Sequence, residues 1–321
     1  MTQVLVLVRN VQSHDQRLDF GEFTISPVGH RFSELRDVFS SNDVYQSDWI
    51  LEKRYSVVPP GPIGSSGNVG GIPNDIEDIL FLFRLYKVGD IAFARQATIL
   101  PNGDKLNQYP YRAMNALNSN SVPVFEFTQE ECESWKAFAN GIRQSQSWTA
   151  DWFDVARRFI LYAGAKEFNP QWDDVDRILD YATALEAAIV PEKDYNTRRI
   201  SRRAAALIAP DDAAEQEIVV KFVKKVYDIR SSIVHGSKLS DKSREWLFEN
   251  SGQVELRVRQ VLVAAVQRLP AGEEDRRTAL ARMYDPTDED RGESAFQKFQ
   301  EIRTEEVRKA IAAKITRLVQ D

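Results

Sequence analysis

The hydrophobic periodicity of the chain changes near residue 147, and this change limits the fold class more than any single motif. Up to about Gln146, apolar residues come in short β-branched or aromatic runs at 4–8, 20–25, 50–58, 91–99 and 122–127, separated by Gly, Pro, Asn and Asp. Pro101-Asn102-Gly103 is a turn signal in its own right. Two helices are expected to interrupt this pattern. One spans 75–85, where Ile76, Ile79, Leu80 and Phe83 share a face after an Asn74 cap; the other spans 130–143, capped by Thr128. From Trp148 onward helical spacing takes over, at 150–162, 174–190, 200–208 and 213–235, with one or two further helices in 243–269. Short connections between such helices favour a bundle. The expected architecture is therefore α+β: a mainly β N-terminal domain at 1–146, a C-terminal all-α helical bundle at 147–270, and an acidic linker with a final helix at 271–321. Val307, Ile311, Ile315 and Leu318 form one stripe on that final helix. The Gly/Pro-rich run at 59–73 lacks a Gly-Lys-Ser/Thr ending and a preceding βα unit, so it reads as a surface loop and not a phosphate-binding loop.

Composition narrows the function classes. The chain has 321 residues, 43% hydrophobic and 28% charged, the balance of a globular protein. No run reaches the roughly 18–20 apolar residues needed to span a bilayer. The apolar run near the start has neither a basic leader nor a small-residue cleavage site and reads as a first strand, so a cytoplasmic protein without a membrane partner is expected. A single cysteine, Cys132, excludes an internal disulfide and a thiolate zinc site. With only three histidines, His14, His30 and His235, no metal or cofactor is expected. A net charge of −6 argues against coating nucleic acid over a wide surface, because such binding depends on neutralising phosphates. Positive charge is nonetheless concentrated locally. Between residues 195 and 242 ten Lys or Arg face six Asp or Glu. This is either a phosphate-binding patch or a set of solvated helix faces.

Within that stretch the run from Phe222 to Gly236 carries the chemistry. Phe222, Val226, Ile229 and Ile233 recur at helical spacing as a buried stripe, while Lys221, Lys224, Lys225 and Asp228 occupy other faces. The helix closes on Arg230, Ser231 and His235 before Gly236. One reading makes His235 a last-turn cation favoured by the helix dipole, ahead of a C′ glycine. The other makes Arg230 and His235 a catalytic pair. Five residues separate them, so on a straight helix they point roughly 140° apart around the axis. To share one cleft, the last turn must unwind or a second copy must supply the missing partner across a two-fold axis.

Three blocks in order, 185–192 (Leu-Glu-Ala-Ala-Ile-Val-Pro-Glu), 200–208 (Ile-Ser-Arg-Arg-Ala-Ala-Ala-Leu-Ile) and 227–236 (Tyr-Asp-Ile-Arg-Ser-Ser-Ile-Val-His-Gly), resemble the HEPN superfamily, and within it the Apea-like group. The resemblance covers roughly residues 148–270. It implies a dimerising helical domain that, in many members, cuts RNA without metal through the Arg and His of the motif. Other members only bind nucleic acid or protein. Carried to this chain, it makes Arg230 and His235 catalytic, with no cofactor, RNA as substrate and a homodimer as the working unit. An imidazole can take the proton of a ribose 2′-hydroxyl or give one to the leaving 5′-oxygen, and a guanidinium can hold the phosphate. Products would carry 2′,3′-cyclic phosphate ends. Glu186 is the candidate to orient Arg230. Ser231 stands where nuclease members often carry Asn, Asp or His, a departure that favours the binding-module alternative. Lys221, Lys224, Lys225 and Lys238 are the candidate RNA contacts, with Tyr227 as a base-stacking ring. The Apea-like group suggests anti-phage defence or a toxin, with a phage or host trigger recognised by the N-terminal domain.

Overall fold

The computed structural model describes residues 1–45, 47–56, 74–89, 91–108, 125–165, 173–191 and 197–284. The expected loop at 59–73, the linker at 285–293 and the final helix bearing Val307 and Leu318 lie outside the described residues. The fold is α+β. Its N-terminal strands are β1 (Thr2–Arg9), β2 (Val11–Gln12), β3 (Leu18–Asp19) and β4 (Phe23–Pro27). Two short helices follow, α1 (Phe32–Arg36) and α2 (Ser41–Tyr45), then β5 (Trp49–Tyr55) and α3 (Asn74–Tyr86). Strands β6 (Ala92–Ile99), β7 (Lys105–Gln108) and β8 (Phe125–Glu126) complete the β part. Helices α4 (Gln129–Arg143), α5 (Asp151–Ala165), α6 (Asp173–Ile189) and α7 (Thr197–Ile208) come next. The described chain ends with α8 (Ala213–Val234), α9 (Asp241–Arg268) and α10 (Glu273–Met283). None of the described helices is long and apolar enough to cross a membrane.

Six strands form one antiparallel sheet in the order β3-β4-β5-β1-β6-β7, and β2 pairs with β8 in parallel beside it. β1 is central and nearly all apolar because both of its faces are covered. Val4, Val6 and Val8 point to the main core, while Leu5 and Leu7 point to a smaller one beneath α1 and α2. The Pro-Asn-Gly turn closes the β6–β7 hairpin, with Gly103 at φ 88° and the Leu100 N–H donating to Asp104 O at 2.9 Å. Thr128 caps α4 in a reciprocal capping box. Its hydroxyl accepts from the Glu131 N–H at 3.3 Å, and the Glu131 carboxylate accepts from the Thr128 N–H at 3.0 Å.

Some elements depart from the sequence reading. α1 and α2 run for five residues each, too short to show a helical period. α9 is a single helix of 28 residues where one or two were expected, and α10 occupies part of the expected linker. α10 is held by Arg276, which donates to Ala187 O at 2.6 Å and lies over the Trp152 ring at 5.0 Å.

The main core runs from the sheet through α3 into the helices without interruption. On the sheet side it is aromatic: Phe20 stacks on Phe23 at 4.7 Å and Phe83 on Trp135 at 4.7 Å. On the helical side Phe81 meets Phe153 edge to face at 5.7 Å. At the junction, buried Arg84 of α3 donates to Ile91 O at 3.1 Å and to Leu161 O and Gly164 O of α5 at 3.3 and 3.0 Å. Gly164 is what lets the guanidinium approach, since a Cβ there would sit 1.8 Å from Arg84 Nη1. A Gly164→Ala exchange should therefore destabilise the fold by about 1–3 kcal/mol through overpacking, although helix propensity alone would favour Ala by about 1 kcal/mol. Urea denaturation of the variant decides by sign.

Candidate functional site

α8 begins where Asp212 accepts from the N–H groups of Ala214 and Glu215, both at 3.0 Å. Val219, Val220, Val223, Val226, Tyr227 and Ile229 bury one broad side, which packs on α6 and α7. At the far end, His235 is the C-cap and Gly236 takes φ 68°. The Ser237 N–H reaches back to Ser232 O at 2.8 Å and the Gly236 N–H to Ile233 O at 3.0 Å. This is a Schellman closure, which satisfies the last carbonyls and fixes the direction of the chain. The last turn is therefore intact, with the His235 N–H still bonded to Ser231 O at 3.0 Å. Unwinding ahead of Gly236, one of the two ways for His235 to reach Arg230, is absent here.

The two residues consequently occupy different surroundings. The Arg230 guanidinium is half-buried against Glu186 of α6, with Nη2 at 3.2 and 3.4 Å from the two carboxylate oxygens. Glu186 itself is 8% exposed. Burial pushes its carboxyl above the ordinary range, and the nearby Arg230 charge offsets this only in part. His235 is exposed and makes no side-chain hydrogen bond among the described residues. Ser231 is likewise exposed, leaving its hydroxyl available to a ligand.

Tyr227 does not serve as expected. It is 4% exposed, and its hydroxyl donates to Ala182 O at 3.1 Å, so the ring has no face left for a base. The cause is geometric: α8 lies against two helices, which widens its buried arc beyond the single stripe assumed from the spacing. Lys221, Lys224 and Lys238 are exposed as expected, whereas Lys225 is half-buried and reaches Ser243 Oγ at 3.4 Å. Part of the local positive excess is already committed. Arg203 is fully buried and donates to Ile189 O at 3.0 Å, and Arg202 pairs with Glu217.

Sequence reasoning missed a second charged group deeper in the helices. Glu255 of α9 pairs with Arg259 one turn on and with Arg177 of α6 at 3.4 Å, and Tyr181 lies alongside. Burial pushes the Tyr181 phenol up to about 12. These residues are separated by up to 82 positions in the chain, so no local spacing marks them. Cys132 is buried against Thr128 O, and burial raises its thiol to about 11, which makes it a poor nucleophile.

Comparison of the chain with protein families, with curated proteins and with solved structures finds no match.

Glu186 gives a pH test with a definite sign. Because its folded-state pKa is raised above 4.5, the folded protein holds this proton more tightly than the unfolded chain does. Its contribution is fully present below the unfolded value and is lost as pH rises through the folded one. Glu186→Gln cannot titrate. The stability of wild type minus that of the variant should therefore fall as pH rises from 4 towards neutrality, about 3 units of scan. Denaturant titrations at a series of pH values measure it; a difference that rises with pH would show that the Arg230 charge outweighs burial.

Proposed function

We propose that this protein is a metal-independent endoribonuclease of the HEPN type, working as a homodimer, with Arg230 and His235 as its catalytic residues. The observation that carries this reading is the end of α8. A guanidinium oriented by a buried carboxylate and an unengaged imidazole stand on the same terminal turns, both reachable from solvent. Since the helix end is closed, the cleft is assembled from two copies, each supplying its Arg and its His. Val234, 53% exposed beside His235, gives that helix end an apolar contact for the second copy.

In such a cleft His235 takes the proton from a ribose 2′-hydroxyl. The 2′-oxygen attacks phosphorus, the bond to the 5′-oxygen breaks, and the partner's His235 returns a proton to that oxygen. Arg230 grips the non-bridging phosphate oxygens through its planar fork as charge develops on them. The products are a 2′,3′-cyclic phosphate and a 5′-hydroxyl. DNA has no 2′-hydroxyl and is inert to this chemistry. Lys221, Lys224 and Lys238 lie on the exposed side of the same segment and can lead the RNA backbone towards the cleft. A defence or toxin role, triggered by a phage or host molecule on the N-terminal part, fits this chemistry.

Ser231 and the partial neutralisation of the basic segment favour a second reading, a HEPN-type module that binds nucleic acid or protein without cutting. Incubation with a mixed RNA pool in EDTA separates the two. Under the enzyme reading His235→Ala loses cleavage by roughly 100-fold or more while costing at most about 1 kcal/mol of stability. Arg230→Lys keeps the charge, loses the fork and does not rescue activity. Wild-type cleavage in both variants, or products without cyclic phosphate ends, would sink the mechanism. A second expectation concerns assembly: light scattering at micromolar concentration should give twice the chain mass of 36.7 kDa. A strict monomer would remove the composite cleft.

A further inference from the structure

Among the described residues, the outer face of the sheet is covered only in part. α1, α2 and the turn between them lay Leu35, Val38, Phe39 and Val44 over Leu5, Leu7, Ile50 and Ala97. Across β3, β4 and β5 the outward positions turn polar instead, with Thr24 opposite Glu52, Ser26 opposite Ile50, and Arg54 opposite Gln3. This open strip is a cleft of about 620 Å³, walled by Arg17, by the Gly21-Glu22 turn and by Arg31. Small-molecule sites commonly fall at roughly 300–1,000 Å³.

The charges in and behind the cleft are unevenly committed. Arg31 pairs with Glu34 at 2.7 Å and with Glu52 at 2.8 Å, and Arg54 pairs with Glu52 at 2.7 Å. On the core side Lys53 pairs with Glu22 and Asp75 at 2.8 and 2.9 Å, and Arg143 with Glu22 at 2.7 Å. Four cations and four carboxylates thus balance one another. Arg17 stands outside this balance: it is exposed and makes no hydrogen bond or ion pair among the described residues. Its acidic neighbours in sequence keep their charge but are turned to backbone donors, Asp15 to the Gln129 N–H and Asp19 to the Gly21 N–H, each at 2.8 Å. In the floor, the half-buried hydroxyls of Thr24 and Ser26 have no partner among the described residues. Among the described residues, the lining offers no stacking surface, because its one aromatic, Phe23, is turned into the core.

We propose that this cleft binds a phosphate monoester of a polyhydroxy compound, a ligand of the sugar-phosphate class. Arg17 takes the phosphate through its fork, the hydroxyls of Thr24 and Ser26 bond phosphate or sugar oxygens, and Glu52, held in place by Arg31 and Arg54, accepts from a sugar hydroxyl. With no aromatic platform among the described residues of the lining, the class differs from ligands read through a nucleobase. The inference rests on the cleft alone and stands or falls independently of RNA cleavage.

Calorimetric titration of the full chain with ribose 5-phosphate, ribose, inorganic phosphate and AMP tests it. Ribose 5-phosphate should bind roughly tenfold or more tightly than inorganic phosphate, ribose should give no heat, and AMP should bind no more tightly than ribose 5-phosphate. Arg17→Gln and Thr24→Val should each weaken ribose 5-phosphate by about tenfold, with the Tm of the unliganded protein unchanged. Absence of binding at ~10 mM, or wild-type affinity in both variants, would overturn the site. AMP binding about tenfold more tightly than ribose 5-phosphate would overturn the ligand class.

Discussion

The buried guanidinium of Arg84 joins the two halves of this protein. Its bonds to Ile91 O, Leu161 O and Gly164 O tie the end of α3 and the entry to β6 to the last turns of α5. An arginine removed from water needs such a set of acceptors, because leaving even one donor unmet in the interior is expensive. The constraint spreads outward from there. Gly164 has to lack a side chain, α5 has to run past α3 at close range, and the apolar face of the sheet then continues into the helices as a single core. The candidate site on α8 is built upon this base, since α6 packs on α5 and presents Glu186 to Arg230.

Charge inside the helical part follows one rule: a buried cation is directed at carbonyls or at a carboxylate that is itself shared. Arg203 and Arg276 bond carbonyls at the end of α6, Ile189 and Ala187 in turn. Those carbonyls belong to the last turn of the helix, which lacks internal donors and carries the negative end of the dipole. Two arginines from α7 and α10 thus converge on one helix terminus. This fixes the C-terminal end of α6, and with it the height at which Glu186 meets α8.

Much of the fold was legible in the sequence because local signals agreed with the tertiary outcome. α8 is bounded almost as its residues predict: Asp212 caps one end, and Gly236 supplies the positive φ that ends the other. Thr128 with Glu131 marks the start of α4 equally well, and Pro-Asn-Gly marks the hairpin. Features that depend on distant neighbours were not legible. Tyr227 sits next to the expected stripe, and only the second packing helix buries it. Nothing local in the sequence marks Arg84, Arg203 and Arg276 as buried, because their acceptors are supplied from elsewhere in the chain. The pairing of Glu186 with Arg230 spans 44 positions, and no periodicity links them; only the ordered blocks of the HEPN resemblance brought Glu186 forward. The part of the sheet that the described residues leave uncovered was hidden for the opposite reason, since alternating Phe23, Thr24, Ile25 and Ser26 reads simply as a strand with one wet face.

The closed end of α8 bears most directly on chemistry. A frayed terminus would let His235 sample many positions, including some near its own Arg230. The Schellman closure removes that freedom, because three successive backbone bonds hold His235, Gly236 and Ser237 to the preceding turn. Arg230 is fixed from the other side by Glu186. A guanidinium held by a carboxylate and an imidazole whose backbone is fixed five residues further along one helix make a poor site within a single chain, which is the difficulty the proposed two-fold dimer removes. In the proposed dimer, rotation by 180° about an axis near the helix end would set each Arg against the other copy's His. Under that proposal, the backbone order that keeps the pair apart in one chain would pre-organise it between two, lowering the entropic cost of bringing four side chains to one phosphate.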